Sequence, residues 1–475
     1  MSNLKLILIE FNELSPTLLD KWMGEGLLPN FRRFYEDSAV FTTDAGERDP
    51  KFLEPWIQWY TTHTGLSFEE HKVFNLGDGP LADHQDIWGL LRESGLTTGS
   101  CSSMNVSGFT GEGGFYVADP WCTGEPAYPP ELGLFQKFVS DRVQGYVDPS
   151  DKTSVTEAIN FVWFLVNHGL RLKTIFNILG QLLKERMNHS GEVWKRPSIL
   201  DKIQFDVFNY YYRKLQPNFV TFFTNSTAHY QHGYWRHMEP DLFENKPEPV
   251  EVERYKDAIF FGYQAMDAQL GDFFKLEKDT GATLVLVTAL SQKAYFRFEA
   301  TGGKNFYRPR DIDAFLKTLG VVPDSLEPLM TPLYMARFSN EAEAQKAIRA
   351  LESLTYDGKP AIGVDYEGGN SVRFGNSVNT VVTEGAVLEG YGENKDIRFD
   401  DVFYHIDGVK SAAHDPNGAL WFKSGRHLIS DEQPGLVDIF PTIGDYFGVN
   451  GAESYGGSGR SLMTFIKGSS QNLYG

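Results

Sequence analysis

Residues 225–236 bring many chemically active side chains together, reading Asn-Ser-Thr-Ala-His-Tyr-Gln-His-Gly-Tyr-Trp-Arg. Imidazoles can transfer protons near neutral pH, so His229 and His232 are predicted to be catalytic. Amide, indole and guanidinium groups offer hydrogen bonds and stacking surfaces to a ligand. The predicted substrate contacts in this stretch are Asn225, Gln231, Trp235 and Arg236.

The element that positions this stretch is a predicted strand. Phe219-Val-Thr-Phe-Phe223 is a β-branched and aromatic run, which is typical of a buried strand. Open α/β sheets bind their ligands at the carboxyl ends of such strands. We therefore expect the side chains of residues 225–236 to face one cleft. The alternative is a polar loop whose histidines bond only to backbone groups.

A second predicted strand also ends in polar residues. Leu4-Lys-Leu-Ile-Leu-Ile9 is a continuous apolar run, typical of a strand buried on both faces of a parallel sheet. Ser15 and Pro16 predict a helix start a few residues later. Asn12 and Glu13 therefore lie on a strand-to-helix loop, where they are predicted to contact substrate.

A helix is predicted between Pro55, which can open it, and Gly65, which can close it. Glu54 and Gln58 would lie along one face of this helix at a spacing of four residues. Gln58 and Trp59 are predicted substrate contacts. The alternative for the helix is ordinary packing, with its tryptophans in the core.

Ala282-Thr-Leu-Val-Leu-Val287 predicts a further buried strand, and Ser291 and Gln292 follow it as predicted substrate contacts. The aromatic tract after them carries Arg297 and Arg308, which could bind an anionic group of a ligand in a bidentate manner. Solvated surface arginines are the alternative for both.

The composition excludes several classes of function. The chain has 475 residues and a formal net charge of −19, which argues against binding to nucleic acid or to an anionic membrane surface. Its two cysteines imply no disulfide framework, and no apolar run is long enough to span a bilayer. No signal-like segment opens the chain, so a cytoplasmic location is predicted. A homo-oligomer is compatible with all of these features.

Changes in sequence character predict three parts. Residues 1–124, 216–328 and 401–475 form the predicted core. Residues 125–215 carry two amphipathic apolar segments and are interpreted as a helical insertion or cap. Packing of these helices on the core is expected, with a partner-binding or membrane-lying face as the alternative. Residues 329–400 are interpreted as a small α/β insertion.

In their order, these segments resemble the alkaline phosphatase superfamily, and within it the type I phosphodiesterases and nucleotide pyrophosphatases. The resemblance covers most of the chain, and it rests on the first strand with Leu27-Leu-Pro-Asn-Phe31, Trp59…Thr64-Gly65…His71, Gln231-His232…Trp235-Arg236, the helix ending near Asp272 before the strand at 282–287, His414…Gly418 and Val437-Asp-Ile-Phe-Pro-Thr442. It implies an α/β fold with a large mixed, mostly parallel sheet sandwiched by helices. It also implies two divalent metals at the strand ends, which activate a Ser or Thr nucleophile.

The residues that this resemblance requires for chemistry are mostly replaced. Asn12 stands where a metal-binding Asp is expected, and Ala228 replaces the Asp of an Asp-x-x-x-His pair. Thr288-Ala-Leu-Ser291 replaces a Ser-Asp-His-Gly stretch. Glu54 lies near the nucleophile position, which has no hydroxyl group.

Only His232 and His414 remain at positions that bind metal in the family. Zinc sites normally need three or four protein ligands, so no metal cofactor is expected. A single zinc or manganese ion, held by these two histidines in a site that His229 or Asp415 completes, is the alternative.

Three functions fit these observations. The first is a metal-independent or metal-poor hydrolase or transferase that acts on a glycosyl or phosphoryl compound such as a nucleotide sugar. Glu54 would be its base or nucleophile, beside His229, His232 and His414. The second is a pseudoenzyme that binds a ligand or serves as a scaffold. The third is a conventional metal-dependent phosphodiesterase whose ligands lie a few residues away, near Glu10 or Glu13.

Overall fold

The computed structural model describes residues 4–109, 111–122, 124–145, 155–187, 191–301, 303–329, 332–366, 368–390, 397–406, 410–449 and 457–468. Its strands are β1 (Leu6–Phe11), β2 (Ser38–Asp44), β3 (Thr98–Cys101), β4 (Phe115–Val117), β5 (Phe219–Thr224), β6 (Thr283–Val287), β7 (Ser291–Ala294), β8 (Tyr307–Pro309), β9 (Ser325–Pro328), β10 (Leu333–Arg337), β11 (Thr355–Tyr356), β12 (Lys359–Pro360), β13 (Ile362–Asp365), β14 (Ser371–Asn376), β15 (Val387–Leu388), β16 (Ile397–Arg398), β17 (Phe403–His405), β18 (Ala412–Asp415), β19 (Asn417–Lys423) and β20 (Leu428–Ile429).

The α-helices are α1 (Pro16–Gly24), α2 (Pro29–Glu36), α3 (Pro55–Thr64), α4 (Phe68–His71), α5 (Ile87–Glu93), α6 (Gly133–Gly145), α7 (Val155–Asn167), α8 (Leu172–Met187), α9 (Arg196–Leu215), α10 (Ser226–Met238), α11 (Pro249–Tyr255), α12 (Ala258–Thr280), α13 (Ile312–Thr318), α14 (Glu341–Glu352), α15 (Phe399–Val402), α16 (Ile439–Tyr446) and α17 (Met463–Ile466). The segment 225–236 is thus mostly helical, because α10 begins directly after Asn225.

The main sheet has eight strands in the order β20-β2-β19-β6-β1-β5-β3-β4. Strand β1 lies at its centre and pairs in parallel with both β5 and β6. Only β19 runs antiparallel to its neighbours within this sheet. The predicted class, an α/β fold with a large mixed and mostly parallel sheet, is confirmed.

Helices cover both faces of the sheet because its central strands are apolar on both sides. Alternate residues of β1 enter opposite cores: Ile7 and Ile9 pack with α1, α9 and α12, whereas Leu6 and Leu8 pack with α3, α5 and α16. Burial on both faces explains why β1 reads as a continuous apolar run and not as an alternating pattern.

The helix predicted to begin at Ser15 is present, but Ser15 does not cap it with its side chain. Instead the backbone N–H of Ser15 donates to the hydroxyl of Tyr263 at 2.7 Å. Two helices, α11 and α12, precede β6, and Lys256 and Asp257 separate them.

The part predicted as a helical insertion contains α6 to α9, and these helices pack on the main sheet. Phe205 and Phe208 of α9 contact Phe222 of β5 and Phe273 of α12. Their buried side chains belong to the same core as β1. The boundaries 125–215 stay a prediction.

A separate small core surrounds the antiparallel sheet β13-β14-β10-β9 and helix α14. This core also includes Phe315, Phe399 and Phe403, which lie at or beyond the ends of the predicted insertion 329–400. Arg308 is fully buried here and donates to the Tyr334 hydroxyl and the Leu329 carbonyl oxygen. The boundaries of this insertion stay a prediction.

Both cysteines, Cys101 and Cys122, are buried and unbonded to one another. Among the described helices, none combines the length and apolar character needed to cross a membrane.

Candidate functional site

Three side chains converge at the carboxyl edge of the main sheet: Glu13, His232 and His414. Glu13 follows β1, His232 lies on the second turn of α10, and His414 lies on β18. One ligand atom from each lies within 4.8 Å of the others. Strand β18 pairs with β7 so that His414 stands opposite Gln292, and this ribbon carries His414 over the end of β1.

The backbone at Glu13 is held in an unusual conformation. Its φ of 61° is left-handed, which residues other than glycine rarely adopt. The Glu13 N–H donates to the Thr288 carbonyl oxygen, and its own carbonyl oxygen accepts from Gln231 Nε2 at 2.7 Å. Ser102 after β3 and Ala289 after β6 have similar φ values, so strained residues cluster at this edge.

The Glu13 carboxylate is oriented by two amides. Asn12 Nδ2 donates to Oε1 at 2.8 Å, and Gln292 Nε2 donates to Oε2. Asn12 is itself fixed, because its Oδ1 accepts from the Trp59 indole at 2.7 Å and its Nδ2 also donates to Asn225. Outer contacts of this kind orient the ligands in metal sites.

Ring orientation leaves the Nε2 atoms of both histidines facing this carboxylate. His414 Nδ1 lies 2.8 Å from the Leu53 carbonyl oxygen, and His232 Nδ1 lies 3.3 Å from that of Ala412. A carbonyl oxygen only accepts, so Nδ1 carries the hydrogen in each ring. In neutral rings, both Nε2 lone pairs then face Glu13 Oε2, at 3.2 Å from His232 and 3.4 Å from His414. Three facing acceptors repel unless a proton or a metal cation lies between them.

Electrostatics distinguishes the two histidines. Burial acts to raise the pKa of Glu13, but His414 and His232 outweigh it and hold this pKa well below its ordinary value. Burial acts to lower the pKa of His414, but Glu13 and Glu54 outweigh it and raise the pKa. For His232 burial prevails, with help from Lys410, and lowers the pKa to about 4. Both shifts favour the charged forms, an ionised Glu13 carboxylate beside a protonated His414 ring.

The cluster fits one divalent cation. Neighbouring ligands of a tetrahedral zinc ion lie about 3.3 Å apart, given bonds of about 2.0–2.1 Å. The two Nε2–Oε2 separations of 3.2 and 3.4 Å match this spacing. The donation of both Nδ1 hydrogens to carbonyl oxygens is also the usual arrangement of metal-binding histidines.

The second metal that the family resemblance implies does not fit. Asn12 Oδ1 accepts the Trp59 indole hydrogen, and a neutral amide replaces the charged carboxylate expected at this position. The other expected positions carry Ala228, Ala289 and Leu290, which have no ligand atoms and are buried. In the structure Glu13, and not His229 or Asp415, is the third residue of the candidate cluster with His232 and His414.

Glu54 stands beside this cluster at the start of α3. It occupies the N-cap position with extended backbone, and its Oε2 lies 3.5 Å from His414 Nδ1. Burial raises the pKa of Glu54, although His414 and Lys410 oppose the shift. A carboxyl group with a raised pKa suits proton transfer near neutral pH.

Two lysines that the sequence reasoning missed line the same site. Lys304 and Lys410 stand directly opposite each other in an antiparallel bridge, with backbone hydrogen bonds of 3.1 and 3.2 Å in the two directions. Burial and the charge of Lys410 lower the pKa of Lys304. Within the described part of the chain, neither ammonium group has an ion pair. Lys304 belongs to the aromatic, basic tract seen in the sequence, but its pairing with Lys410 depends on the fold.

Four predicted substrate contacts are corrected, because their side chains lie in the packed interior. Trp59 and Gln231 are fully buried and support Asn12 and Glu13 from beneath. Trp235 packs in the main core and donates to Glu239. Arg308 holds the small core together, as described above.

The remaining predicted residues lie around the cluster without joining it. His229 is one helical turn before His232 on α10. Arg236 is one turn after it, where its charge interacts with Glu251. Gln58 donates to the Phe52 carbonyl oxygen. Ser291 is buried opposite Asp415. Arg297 is exposed beside Phe298.

Comparison with known proteins finds likeness only among solved structures: no protein-family model and no curated sequence matches the chain. Murine ectonucleotide pyrophosphatase/phosphodiesterase 5 is 10% identical with a TM-score of 0.39, over 98% of this chain and 99% of that one. Phosphonoacetate hydrolase from Sinorhizobium meliloti 1021 is 13% identical with a TM-score of 0.39, over 95% and 96%. The alkaline phosphatase PafA is 11% identical with a TM-score of 0.47, over 98% and 99%. All three belong to the alkaline phosphatase superfamily, and the likeness is one of fold.

Proposed function

We propose that this protein is a hydrolase of phosphate esters or phosphonates that uses one divalent cation, held by Glu13, His232 and His414. The observation that carries the proposal is the convergence of two Nε2 lone pairs on one carboxylate oxygen, at 3.2 and 3.4 Å. The surrounding amides hold this arrangement in place, so it is a built site and not a chance contact.

When bound, such a cation supplies Lewis-acid polarisation of a phosphoryl oxygen or an activated water. The chain's own residues would bind and orient the substrate around it. Lys304 and Lys410 offer two positive charges to an anionic group, which offsets the repulsion of a chain with net charge −19. Glu54, beside His414, is the proposed proton-transfer group.

The site favours a phosphoryl compound over a purely glycosyl one. Sugar binding commonly uses an exposed aromatic face, but Trp59 and Trp235 are buried and offer none. A nucleotide sugar remains within the proposal, because its diphosphate could meet the two lysines. The three converging ligand atoms favour an enzyme over a pseudoenzyme, and no second group of this kind occurs among the described residues, which favours one metal over two.

Metal content tests the cation site. The purified protein would be stripped with a chelator, dialysed against zinc or manganese, and analysed for bound metal. One metal per chain is expected in the wild type and a large loss of affinity in Glu13→Gln, while His229→Ala, the matched control on α10, keeps the metal. Two tightly bound metals would contradict the single site. Full metal content in Glu13→Gln would exclude Glu13 as a ligand.

Hydrolysis of p-nitrophenyl phosphate, bis-p-nitrophenyl phosphate and phosphonoacetate tests the chemistry. Activity should require the metal, and Lys410→Gln should raise KM about tenfold, the effect of about 1.4 kcal/mol for a lost charged contact. Lys317→Gln, an exposed lysine on α13, is the control and should leave KM unchanged. A metal-loaded protein that hydrolyses none of these compounds would favour the pseudoenzyme.

A further inference from the structure

Helices α7 and α8 expose a large set of apolar side chains. These side chains are 53–72% exposed, and they are Ile159, Val162, Trp163, Val166, Leu172, Phe176, Leu179, Leu182, Leu183 and Met187. We call them the α7–α8 stripes. Other strongly exposed apolar residues of the described chain, such as Leu81 and Val322, are scattered singly.

The spacing of the stripes shows that each is one face of an amphipathic helix. On α7 the exposed residues recur at intervals of three and four, while Phe161, Phe164 and Leu165 on the other face are buried in the main core. On α8, Leu172, Phe176 and Leu179 follow the same intervals. The helices are thus already anchored by their inner faces, and the outer faces are not needed for packing.

Such exposure needs a partner. Soluble proteins expose apolar side chains mostly singly, and a row of them along one helix face is typical of a binding surface. No described residue covers the stripes. The charged residues beside the stripes indicate which class of partner binds there.

The charge around the α8 stripe is positive, in contrast to the whole chain. Lys173, Lys184 and Arg186 are exposed. The only carboxylate of this helix, Glu185, is buried and paired with Arg196 at 2.7 Å. An outer face of apolar residues flanked by lysine and arginine suits an anionic lipid surface, where the long side chains reach the headgroups.

A second copy of the chain fits this surface less well. In an antiparallel two-fold contact through α8, Lys173 would meet Lys184 and Arg186 of the other copy. In a parallel contact each cation would meet its own equivalent. Both arrangements bring like charges together, which is unfavourable.

We propose that the α7–α8 stripes lie on the interfacial region of a bilayer that contains anionic phospholipid, with the helices parallel to the surface. Neither helix is long enough to span the membrane, since they have 13 and 16 residues. The sequence argument against anionic membranes used the charge of the whole chain. The local charge of α8 decides instead, because screening limits electrostatic attraction to about 8 Å at physiological salt.

Vesicle sedimentation of the full-length protein tests this proposal. Vesicles of phosphatidylcholine with phosphatidylglycerol should bind the protein, and phosphatidylcholine alone should bind it much less. The double variant Phe176→Asp/Leu179→Asp should lose about tenfold or more in binding. Leu81→Asp/Val322→Asp adds the same charge at exposed apolar sites elsewhere and should bind like the wild type. Thermal unfolding of both double variants checks that each protein is folded.

A charge variant separates electrostatic attraction to anionic lipid from nonspecific hydrophobic adsorption to vesicles. Lys173→Gln/Lys184→Gln/Arg186→Gln should lose the preference for anionic vesicles, whereas Lys317→Gln/Lys346→Gln/Lys359→Gln should keep it. A wild-type protein that binds neither kind of vesicle would overturn the proposal. A second result would also overturn it: sedimentation velocity that finds the wild type as a dimer and the Phe176→Asp/Leu179→Asp variant as a monomer. The stripes would then bind a second copy of the chain.

Discussion

At the scale of single residues, the site depends on buried groups that hydrogen-bond to its side chains and backbone and so fix their positions. Trp59 orients Asn12, Asn12 orients the Glu13 carboxylate, and Gln231 holds the Glu13 backbone. Tyr263 in turn donates to Gln231 at 2.8 Å. These buried groups touch no substrate, yet they decide where the ligand oxygen lies. They are positioning residues.

Trp59→Phe should weaken zinc binding about tenfold, because loss of an outer hydrogen bond frees the ligand that it orients. Trp56→Phe is the matched control, since Trp56 lies on the same helix and its indole donates to the Phe74 carbonyl oxygen, away from the cluster. Both variants should lose stability. Calorimetric zinc titration separates them, and equal zinc affinities in the two would contradict the role of Trp59.

Asp201 makes the stability of the protein depend on pH. Burial raises its pKa to about 7, although a hydrogen bond from Ser226 opposes the shift. Between about pH 4 and pH 7 the folded chain then holds a proton that the unfolded chain has lost, so stability falls as pH rises through this window. Asp201→Asn should reduce this fall by up to about 1.4 kcal/mol per pH unit.

Urea denaturation at several pH values measures the effect of Asp201→Asn. Asp313→Asn, at an exposed position of α13, is the control and should follow the wild-type curve. An Asp201→Asn curve parallel to the wild type from pH 4 to 7 would show that Asp201 is ionised in the folded protein.

At the scale of elements, one arginine joins three helical segments. Arg171, just before α8, bonds Asp206 of α9 and Asp272 of α12, and both carboxylates are buried. Lys275 of α12 also pairs with Asp272, at 2.7 Å, whereas Arg171 is the ion-pair partner of Asp206 among the described residues. A second pair, Arg213 with Asp279, also links α9 to α12 but is exposed to solvent.

Arg171→Leu should destabilise the fold by about 3–5 kcal/mol, because it leaves the buried Asp206 carboxylate without its cation, whereas Asp272 keeps Lys275. Arg213→Leu removes a comparable link and should cost at most about 1 kcal/mol, since solvent screens an exposed pair. Chemical denaturation of both variants gives the comparison. Similar losses of unfolding free energy in the two variants would mean that burial of the carboxylates does not strengthen the contacts of Arg171.

At the scale of the whole molecule, the cluster of Glu13, His232 and His414 lies where the sheet, the β7–β18 ribbon and the small α/β part approach each other. Lys304 and Lys410 pair through their backbones, and the charge of Arg373 on β14 acts on Glu54. A chain with net charge −19 thus concentrates positive groups at one place. An anionic substrate would be repelled over most of the surface and attracted at the cleft.

The sequence by itself indicated the sheet, because short apolar runs such as the one at residues 4–9 are typical of strands covered on both faces. It also identified His232 and His414, since their places in the order of segments are local features. The tertiary structure decided which groups complete the cluster. Glu13 joins the two histidines through a left-handed backbone that contacts from α10 and β7 stabilise.

Contacts between residues far apart in the chain could also not be predicted from the sequence. Lys304 meets Lys410 only through a backbone bridge, and no local pattern specifies it. Trp59 and Trp235 have the residue type of ligand-binding aromatics, but their direction depends on which helix face packs on the core. Residue types show what chemistry is available. Long-range packing decides which side chains face the cleft, because burial and contact are properties of the folded chain.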